Sequence, residues 1–293
     1  VGSSLLEDYH ISGRIFLHDG TQYIGQKQLI SDSPFSTVDH ECLIVSTIPG
    51  TWTEITATGI STEIFGIWFN NGYYIARTVG SWVTSSDLVT WTICTTAPPD
   101  PTSISSNGTI FVCAVKYSDY VFKVYTSTDG DVWSIVQTIT FPISSYYTIS
   151  SVDTIGYVDG KFYIRSNCVG DGMTLLSSPD GTTWTEYFNT GAVSKSGVGS
   201  IAYKSGVWLL SMAGLYMLRS TNGTTWSIIT GSTTGLHAHE TFADATYFYT
   251  IGRDNGVGDV YLSRSTDGIT WTDVSVAFED PGYGGVFYNL TLH

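Results

Sequence analysis

The 293-residue sequence has few charged residues and very few basic ones. Charged residues make up 13% of the chain, and 12 Lys and Arg stand against 26 Asp and Glu, which gives a formal net charge of −14. A chain of this sign repels the phosphate backbone of nucleic acids and the anionic surface of membranes. We therefore expect no nucleic-acid partner and no binding to anionic membranes.

Long apolar runs and helical periodicity are also missing. No segment approaches the roughly 18 uninterrupted apolar residues that a transmembrane helix requires. No long window places apolar residues at i, i+3, i+4 and i+7. The sequence therefore predicts neither membrane insertion nor a helical domain.

Cysteines are too few and too scattered for a metal ribbon. The spacings of Cys42, Cys94, Cys113 and Cys168 match no zinc motif and no Cys-x-x-Cys pair. Buried free thiols are the interpretation that we favour, because cysteine is among the most buried residue types. A Cys94–Cys113 disulfide is the alternative.

What the sequence has is a repeat rich in aromatic residues and glycine. Six copies of a Ser-x-Asp-Gly-x-x-Trp pattern, some of them degenerate, end at six tryptophans. These are Trp52, Trp91, Trp133, Trp184, Trp226 and Trp271. Their spacings of 39, 42, 51, 42 and 45 residues lie in the range of four-stranded propeller blades.

A second motif recurs between these copies. An apolar strand, an Asn-Gly, Asp-Gly or Ser-Gly turn and an aromatic strand occupy 67–76, 155–165 and 201–210. Such turns between apolar runs are strong hairpin signals. Each repeat therefore contains two hairpins, and the sequence predicts an all-β propeller of four-stranded antiparallel blades, with residues 1–293 as a single domain.

The number of blades is less directly given by the repeat. Six boxes are visible, yet strands of the first-hairpin type recur about seven times, the last at 284–293. A composite seventh blade built from 284–293 and 3–12 would close the ring and remove free sheet edges. We favour seven blades over six.

The chemistry of the Ser-x-Asp-Gly turn indicates a structural role. Ser and Asp side chains accept hydrogen bonds from backbone N–H groups in turns, Gly takes a positive φ, and Trp packs between blades. The predicted turn residues are Ser85, Asp87, Ser127, Asp129, Ser178, Asp180, Ser220, Asn222, Ser265 and Asp267. Because Leu88 replaces Gly in the second copy, we expect an altered geometry there.

These motifs resemble the Asp-box, or BNR-repeat-like, β-propellers, a family that includes sialidases, glucanases and sortilin-like receptors. The compact box and the Tyr-x-Asn-Gly-x-Tyr hairpin look more like propellers of phage tails or virions and of exported bacterial proteins. The resemblance implies an extracellular or virion location. It also implies that the boxes lie away from any active site, so it predicts the fold better than the function.

Function is expected where the repeat fails, in long loops on a rigid scaffold. The loops between second and third strands and those between blades should share one face. A sugar site needs a flat apolar ring with polar groups beside it. The candidate ligand-binding residues are Trp82, Tyr146, Tyr147, His237, His239, Glu240, Arg253 and Tyr283. His237 and His239 would share a face if they lie on a strand, although solvated histidines are favoured over zinc ligands.

Catalysis is the weaker alternative. A sialidase requires three arginines around the substrate carboxylate, and Arg77, Arg165 and Arg253 each follow a second strand and could converge. We expect no cofactor, apart from a weak calcium candidate at Asp254, Asn255 and Asp259.

Three hypotheses therefore remain. The first is a non-catalytic propeller of a phage particle or extracellular assembly that binds a host-surface glycan, a receptor protein or neighbouring subunits of the assembly. The second is an Asp-box glycoside hydrolase, and the third is a purely structural virion or filament subunit. A homo-oligomer is left open.

Overall fold

The computed structural model describes twelve ranges of the chain, and the statements below concern these residues. They are 12–18, 23–28, 41–46, 53–60, 64–99, 103–141, 148–168, 172–189, 200–211, 216–230, 236–254 and 260–274. Their regular structure is β-strand, as predicted from the sequence. Nowhere in these ranges is there a helix with the length and apolar character needed to cross a membrane.

The 24 strands form six antiparallel sheets of four strands each, and every sheet uses four consecutive strands. Sheet 1 contains β1 (Ser12–His18), β2 (Tyr23–Gln28), β3 (Glu41–Ser46) and β4 (Thr53–Ile55). Sheet 2 contains β5 (Ile64–Asn70), β6 (Tyr73–Thr78), β7 (Ser81–Ser85) and β8 (Thr92–Ile93). Sheet 3 contains β9 (Ile104–Ser106), β10 (Phe111–Ser118), β11 (Val121–Ser127) and β12 (Ser134–Thr140).

The second half of the chain repeats this arrangement. Sheet 4 contains β13 (Ile149–Val158), β14 (Lys161–Cys168), β15 (Gly172–Ser178) and β16 (Thr185–Asn189). Sheet 5 contains β17 (Ile201–Lys204), β18 (Val207–Ser211), β19 (Tyr216–Ser220) and β20 (Trp226–Thr230). Sheet 6 contains β21 (Leu236–Ala243), β22 (Phe248–Asp254), β23 (Val260–Ser265) and β24 (Thr272–Asp273). Within each sheet the strands are called A to D in chain order.

Tight turns join strands A and B where the sequence predicts them. In sheet 2 the turn is Asn71-Gly72, with φ of 48° and 84°. Two consecutive positive φ values are the mark of a type I′ hairpin turn, whose twist matches that of the strands. Sheets 4 and 5 use Asp159-Gly160 and Ser205-Gly206 in the same way.

The core is divided among the spaces between consecutive sheets. Sheets 3 and 4 share a cluster that includes Phe122, Phe162 and Trp184, and clusters of the same kind lie between the other neighbours. The A strands of consecutive sheets lie side by side from β1 through β21. Among the described residues, no comparably close packing joins β21 to β1. The segments predicted to form a seventh blade, 3–12 and 284–293, lie almost entirely outside the described residues, so that blade stays a prediction.

The Ser-x-Asp-Gly turns link strands C and D, and their predicted hydrogen bonds are present. In sheet 3 the Ser127 Oγ accepts the Gly130 N–H at 2.8 Å and donates to Asp129 Oδ1 at 3.0 Å. The same Oδ1 accepts the N–H groups of Asp131 and Val132 at 2.9 and 3.1 Å. The serine donates in the same way at Ser85 and Asp87, Ser178 and Asp180, Ser220 and Asn222, and Ser265 and Asp267.

Leu88 does not alter the second turn, so the prediction made for that copy is wrong. The Leu88 N–H donates to Ser85 Oγ at 2.9 Å, as the glycine does in the other copies. Its φ is 64°, which is the left-handed conformation, and its side chain is only 2% exposed. Burial of the leucine side chain offsets the cost of that backbone conformation.

Four box tryptophans lie in the core, which agrees with the scaffold role predicted for them. Trp91, Trp133, Trp184 and Trp226 are buried, and Trp271 packs at the edge of a core cluster. Trp52 lies outside the described residues.

The disulfide that the sequence left as an alternative is absent. Cys94 and Cys113 are both buried free thiols. Burial raises the pKa of the Cys94 thiol to about 12 and also raises the pKa of Cys113, so both thiols are protonated and unreactive at neutral pH.

Candidate functional site

The two ends of each sheet differ in chemistry. We call the end that carries the A–B turns and the Ser-x-Asp-Gly turns the box end, and the end that carries the B–C turns the B–C end. At the box end, backbone N–H groups donate hydrogen bonds to the carboxylates. The N–H groups of Thr183 and Thr182 donate to Asp180 Oδ1 and hold the pKa of that carboxyl well below its usual value. Such a carboxylate belongs to the scaffold.

Box-end groups also connect neighbouring sheets. The Thr84 hydroxyl of sheet 2 is shared between the Tyr74 carbonyl of its own sheet at 3.1 Å and the Asp129 carbonyl of sheet 3 at 3.3 Å. Arg219 of sheet 5 donates from Nε to the Asp267 carbonyl of sheet 6 at 3.1 Å. These bonds connect neighbouring sheets at the box end.

The B–C end of sheet 2 carries an exposed aromatic ring beside a cation. The pairing of β5 with β6 shifts between Ile64 and Gly66, which places Phe65 at a β-bulge. Its side chain is 44% exposed although Ile64 and Ile67 are buried. The Arg77 guanidinium carbon lies 5.5 Å from the centre of the Phe65 ring. Bulges re-aim side chains and are common next to functional sites.

Sheet 3 has a second pair of this kind at the same end. The pairing of β10 with β11 shifts between Lys116 and Ser118, so Tyr117 also sits at a bulge. Its side chain is 65% exposed. The Lys123 ammonium nitrogen lies 3.6 Å from the Tyr117 ring centre, and Lys116 forms an ion pair with Asp119 at 3.1 Å.

These two pairs offer what recognition of a sugar requires. An exposed ring supplies a flat apolar face, and the cation beside it supplies charged hydrogen-bond donors. The sequence analysis missed Phe65, Tyr117 and Lys123. For Phe65 a signal was present, because Gly66 interrupts the strand directly after it, and a glycine inside a strand often marks a bulge.

Trp82 is not an exposed aromatic surface, which corrects its place among the predicted ligand-binding residues. It is 8% exposed and packs between sheets 2 and 3 with Phe111 and Trp133. Its ring centre lies 5.7 Å from that of Trp68. In strand register it pairs with Arg77, so it supports the strand that carries this cation.

Sheet 6 brings several predicted residues to its B–C end. His237 pairs with Arg253 across β21 and β22. Glu240 pairs with Ile251, and the register shift between Ala238 and Glu240 places His239 at a bulge. The strand pairing is therefore irregular at the second histidine. His237, His239 and Glu240 all lie in strand β21.

Among the described side chains, Arg165 argues against a clamp of three arginines. Arg165 is only 1% exposed, so its guanidinium is not presented to solvent. Arg77 and Arg165 hold equivalent positions in their sheets. Each lies three residues after the residue that pairs with the serine of the Ser-x-Asp-Gly turn. Arg253 lies five residues after such a partner, Phe248. The sialidase hypothesis loses its arginine argument.

Other predicted site residues lie outside the described ranges. They are Tyr146, Tyr147, Asn255, Asp259 and Tyr283. Asp254 ends β22. In the ranges that the structure covers, no three His, Cys, Asp or Glu side chains gather in a way that could hold a metal ion.

The same arrangement of sheets occurs in solved structures of distant sequence. Virginiamycin B lyase from Staphylococcus aureus is 10% identical with a TM-score of 0.57, over 92% of this chain and 85% of the lyase. YCF48 from Cyanidioschyzon merolae is 16% identical with a TM-score of 0.55, over 89% of this chain and 83% of YCF48. The chain is a β-propeller.

A prolyl endopeptidase gives a TM-score of 0.64 at 6% identity, over 92% of this propeller and 43% of the peptidase chain. At these identities the similarities show the fold alone. No family model matches the sequence, and no curated protein matches it.

Proposed function

We propose that this chain is a non-catalytic recognition propeller of a phage particle or another extracellular assembly, and that it binds a glycan on a host surface through its B–C end. The observation that carries the proposal is the pair of exposed rings at β-bulges, Phe65 and Tyr117, each with a cation beside it. Neighbouring sheets 2 and 3 present them at the same end.

The contrast between the two ends supports this assignment. Phe65 and Tyr117 are both exposed at bulges of neighbouring sheets, so the two rings can contact one extended ligand. A glycoside hydrolase would need a carboxylic acid that can donate a proton near neutral pH. The box carboxylates Asp87, Asp129, Asp180 and Asp267 all have lowered pKa values, which is the opposite of what a general acid requires.

Glycan-array binding of the purified chain tests the proposal. We expect binding to a subset of surface glycans, and a loss of about 3- to 10-fold in affinity for both Phe65→Ala and Tyr117→Ala, because each removes a stacking face. Ile93→Ala is the matched control, since Ile93 is 72% exposed on the outer strand of sheet 2. An empty array together with capture of a host-surface protein would replace the glycan by a protein partner.

The particle location is tested separately. Mass spectrometry of purified particles, and of secreted protein, should find the chain in one of the two fractions. Its recovery from the cell interior alone would contradict an extracellular role.

A further inference from the structure

The cations of sheets 2 and 3 are segregated from the carboxylates. In the described ranges 64–99 and 103–141, the Lys and Arg residues are Arg77, Lys116 and Lys123. All three lie next to the B–C turns of β6–β7 and β10–β11. Of the Asp residues in these ranges, only Asp119 lies at this end, while the other members belong to the box turns. They are Asp87, Asp129 and Asp131.

This segregation is unexpected for a chain with a net charge of −14. Scattered surface charges would place carboxylates among the cations, where they would neutralise one another. At the B–C end Lys116 has such a neighbour, Asp119 at 3.1 Å. The two cations that lie beside exposed rings are Arg77 and Lys123.

In its position over the Tyr117 ring, the Lys123 ammonium can still donate hydrogen bonds to a ligand. An aromatic ring attracts a cation through its quadrupole and does not use the three N–H donors as a carboxylate would. A sugar ring stacked on the exposed part of Tyr117 would bring an acidic substituent next to Lys123. Stacking and charge pairing would then act on the same residue of the glycan.

We infer that the ligand of this B–C end is an acidic glycan, which carries a carboxylate or a sulfate on the sugar that stacks on Tyr117. This inference rests on the proposed function, since it names the class of glycan. A neutral glycan would use the ring alone and would make no use of the cations.

The test compares matched pairs of oligosaccharides by calorimetry. One pair is a polyuronate octasaccharide and its carboxyl-reduced neutral form, and the other is a sulfated galactan octasaccharide and its desulfated form. We expect at least one acidic member to bind about 10-fold more tightly than its neutral partner, and this preference to shrink as salt concentration rises. The pair that shows the preference identifies carboxylate or sulfate as the recognised group.

Charge-removing variants locate the effect. Lys123→Gln should reduce the acidic-to-neutral preference about 5-fold, the range of an exposed ion pair, with little change for the neutral member. Lys161→Gln, which removes the same charge at the A–B turn of sheet 4, should leave the preference unchanged. Equal losses for the two variants would show a general charge effect and would overturn the site.

The two proposals fail in different ways. If acidic and neutral members bind equally and Tyr117→Ala still weakens both, the acidic-glycan inference is wrong and the recognition function stands. If neither member of either pair binds and the glycan array is also empty, the proposed function itself fails.

Discussion

At Leu88 two effects oppose each other, the cost of a left-handed backbone conformation and the gain from burying the side chain. A left-handed φ costs a residue with a β-carbon about 1 kcal/mol, while removing a buried leucine side chain costs about 3 kcal/mol. We therefore predict that Leu88→Gly lowers the free energy of unfolding by about 2 kcal/mol, measured by denaturant titration.

The reciprocal variant is the control. A β-carbon at Gly130 would lie 2.5 Å from the Ile75 Cγ1 atom, so Gly130→Leu should destabilise the protein more than Leu88→Gly does. A gain of stability in Leu88→Gly would show that strain outweighs burial at this turn.

The Asp180 carboxyl links the box turn to pH. Its pKa in the folded protein lies below the ordinary value of 3.8, so its contribution to stability is complete above the unfolded pKa and is lost as pH falls through the folded pKa. Asn222 shows that an amide can fill this position, because its Oδ1 accepts the N–H groups of Thr224 and Thr225 at 2.9 and 2.7 Å.

We therefore predict that Asp180→Asn is less stable than the natural protein at neutral pH and that the difference in melting temperature shrinks below about pH 4. Asp180→Ala, which keeps no acceptor, should remain less stable than Asp180→Asn at every pH. If the difference in melting temperature between the natural protein and Asp180→Asn grew as the pH fell, the turn would prefer the protonated carboxyl.

At the scale of elements, a side chain on an outer strand ties one blade to the next. Gln137 of β12 accepts the Trp184 backbone N–H through Oε1 at 3.0 Å. Gln137→Ala leaves this partly buried N–H without its acceptor, and we predict a loss of about 1–2 kcal/mol in the free energy of unfolding. Ser134 on the same strand is exposed, so Ser134→Ala should change the free energy of unfolding by less than about 0.5 kcal/mol. Equal losses of stability in the two variants would show that the Gln137 hydrogen bond does not stabilise the contact between blades.

The elements that could be predicted from the sequence are those whose geometry is decided locally. Asn71-Gly72 needs two positive φ values, and Ser127 with Asp129 caps its own turn, so the residue types alone indicate the structure. The burial of Trp82 depends on sheet 3, which packs over it. The bulge at Phe65 depends on pairing with β6, and Gly66 is its one local signal. The fold was therefore largely predictable, while the candidate site was not.

At the scale of the whole molecule, one face of sheet 6 differs from its equivalents. In sheets 2, 4 and 5, the residue that follows the strand partner of the Ser-x-Asp-Gly serine is fully buried against the next sheet. These residues are Ile75, Tyr163 and Leu209. Tyr249 holds this position in sheet 6 and is partly exposed, with Arg264 as its exposed strand partner. A further blade packed against sheet 6 would cover the Tyr249 side chain.

We predict seven blades, and electron-microscopy averages viewed along the ring axis should show seven lobes. Tyr249→Asp should then destabilise the protein, because the side chain would pack against the closing blade, whereas Tyr117→Asp at an exposed bulge should not. Six lobes would contradict the prediction.

The division between the two ends has a consequence for protein engineering. The turns at 79–80 and 119–120 lie away from every hydrogen bond that shapes the boxes, so peptides inserted there leave the repeat chemistry intact. The propeller can serve as a display scaffold whose B–C turns are varied by library selection while the opposite end preserves the fold.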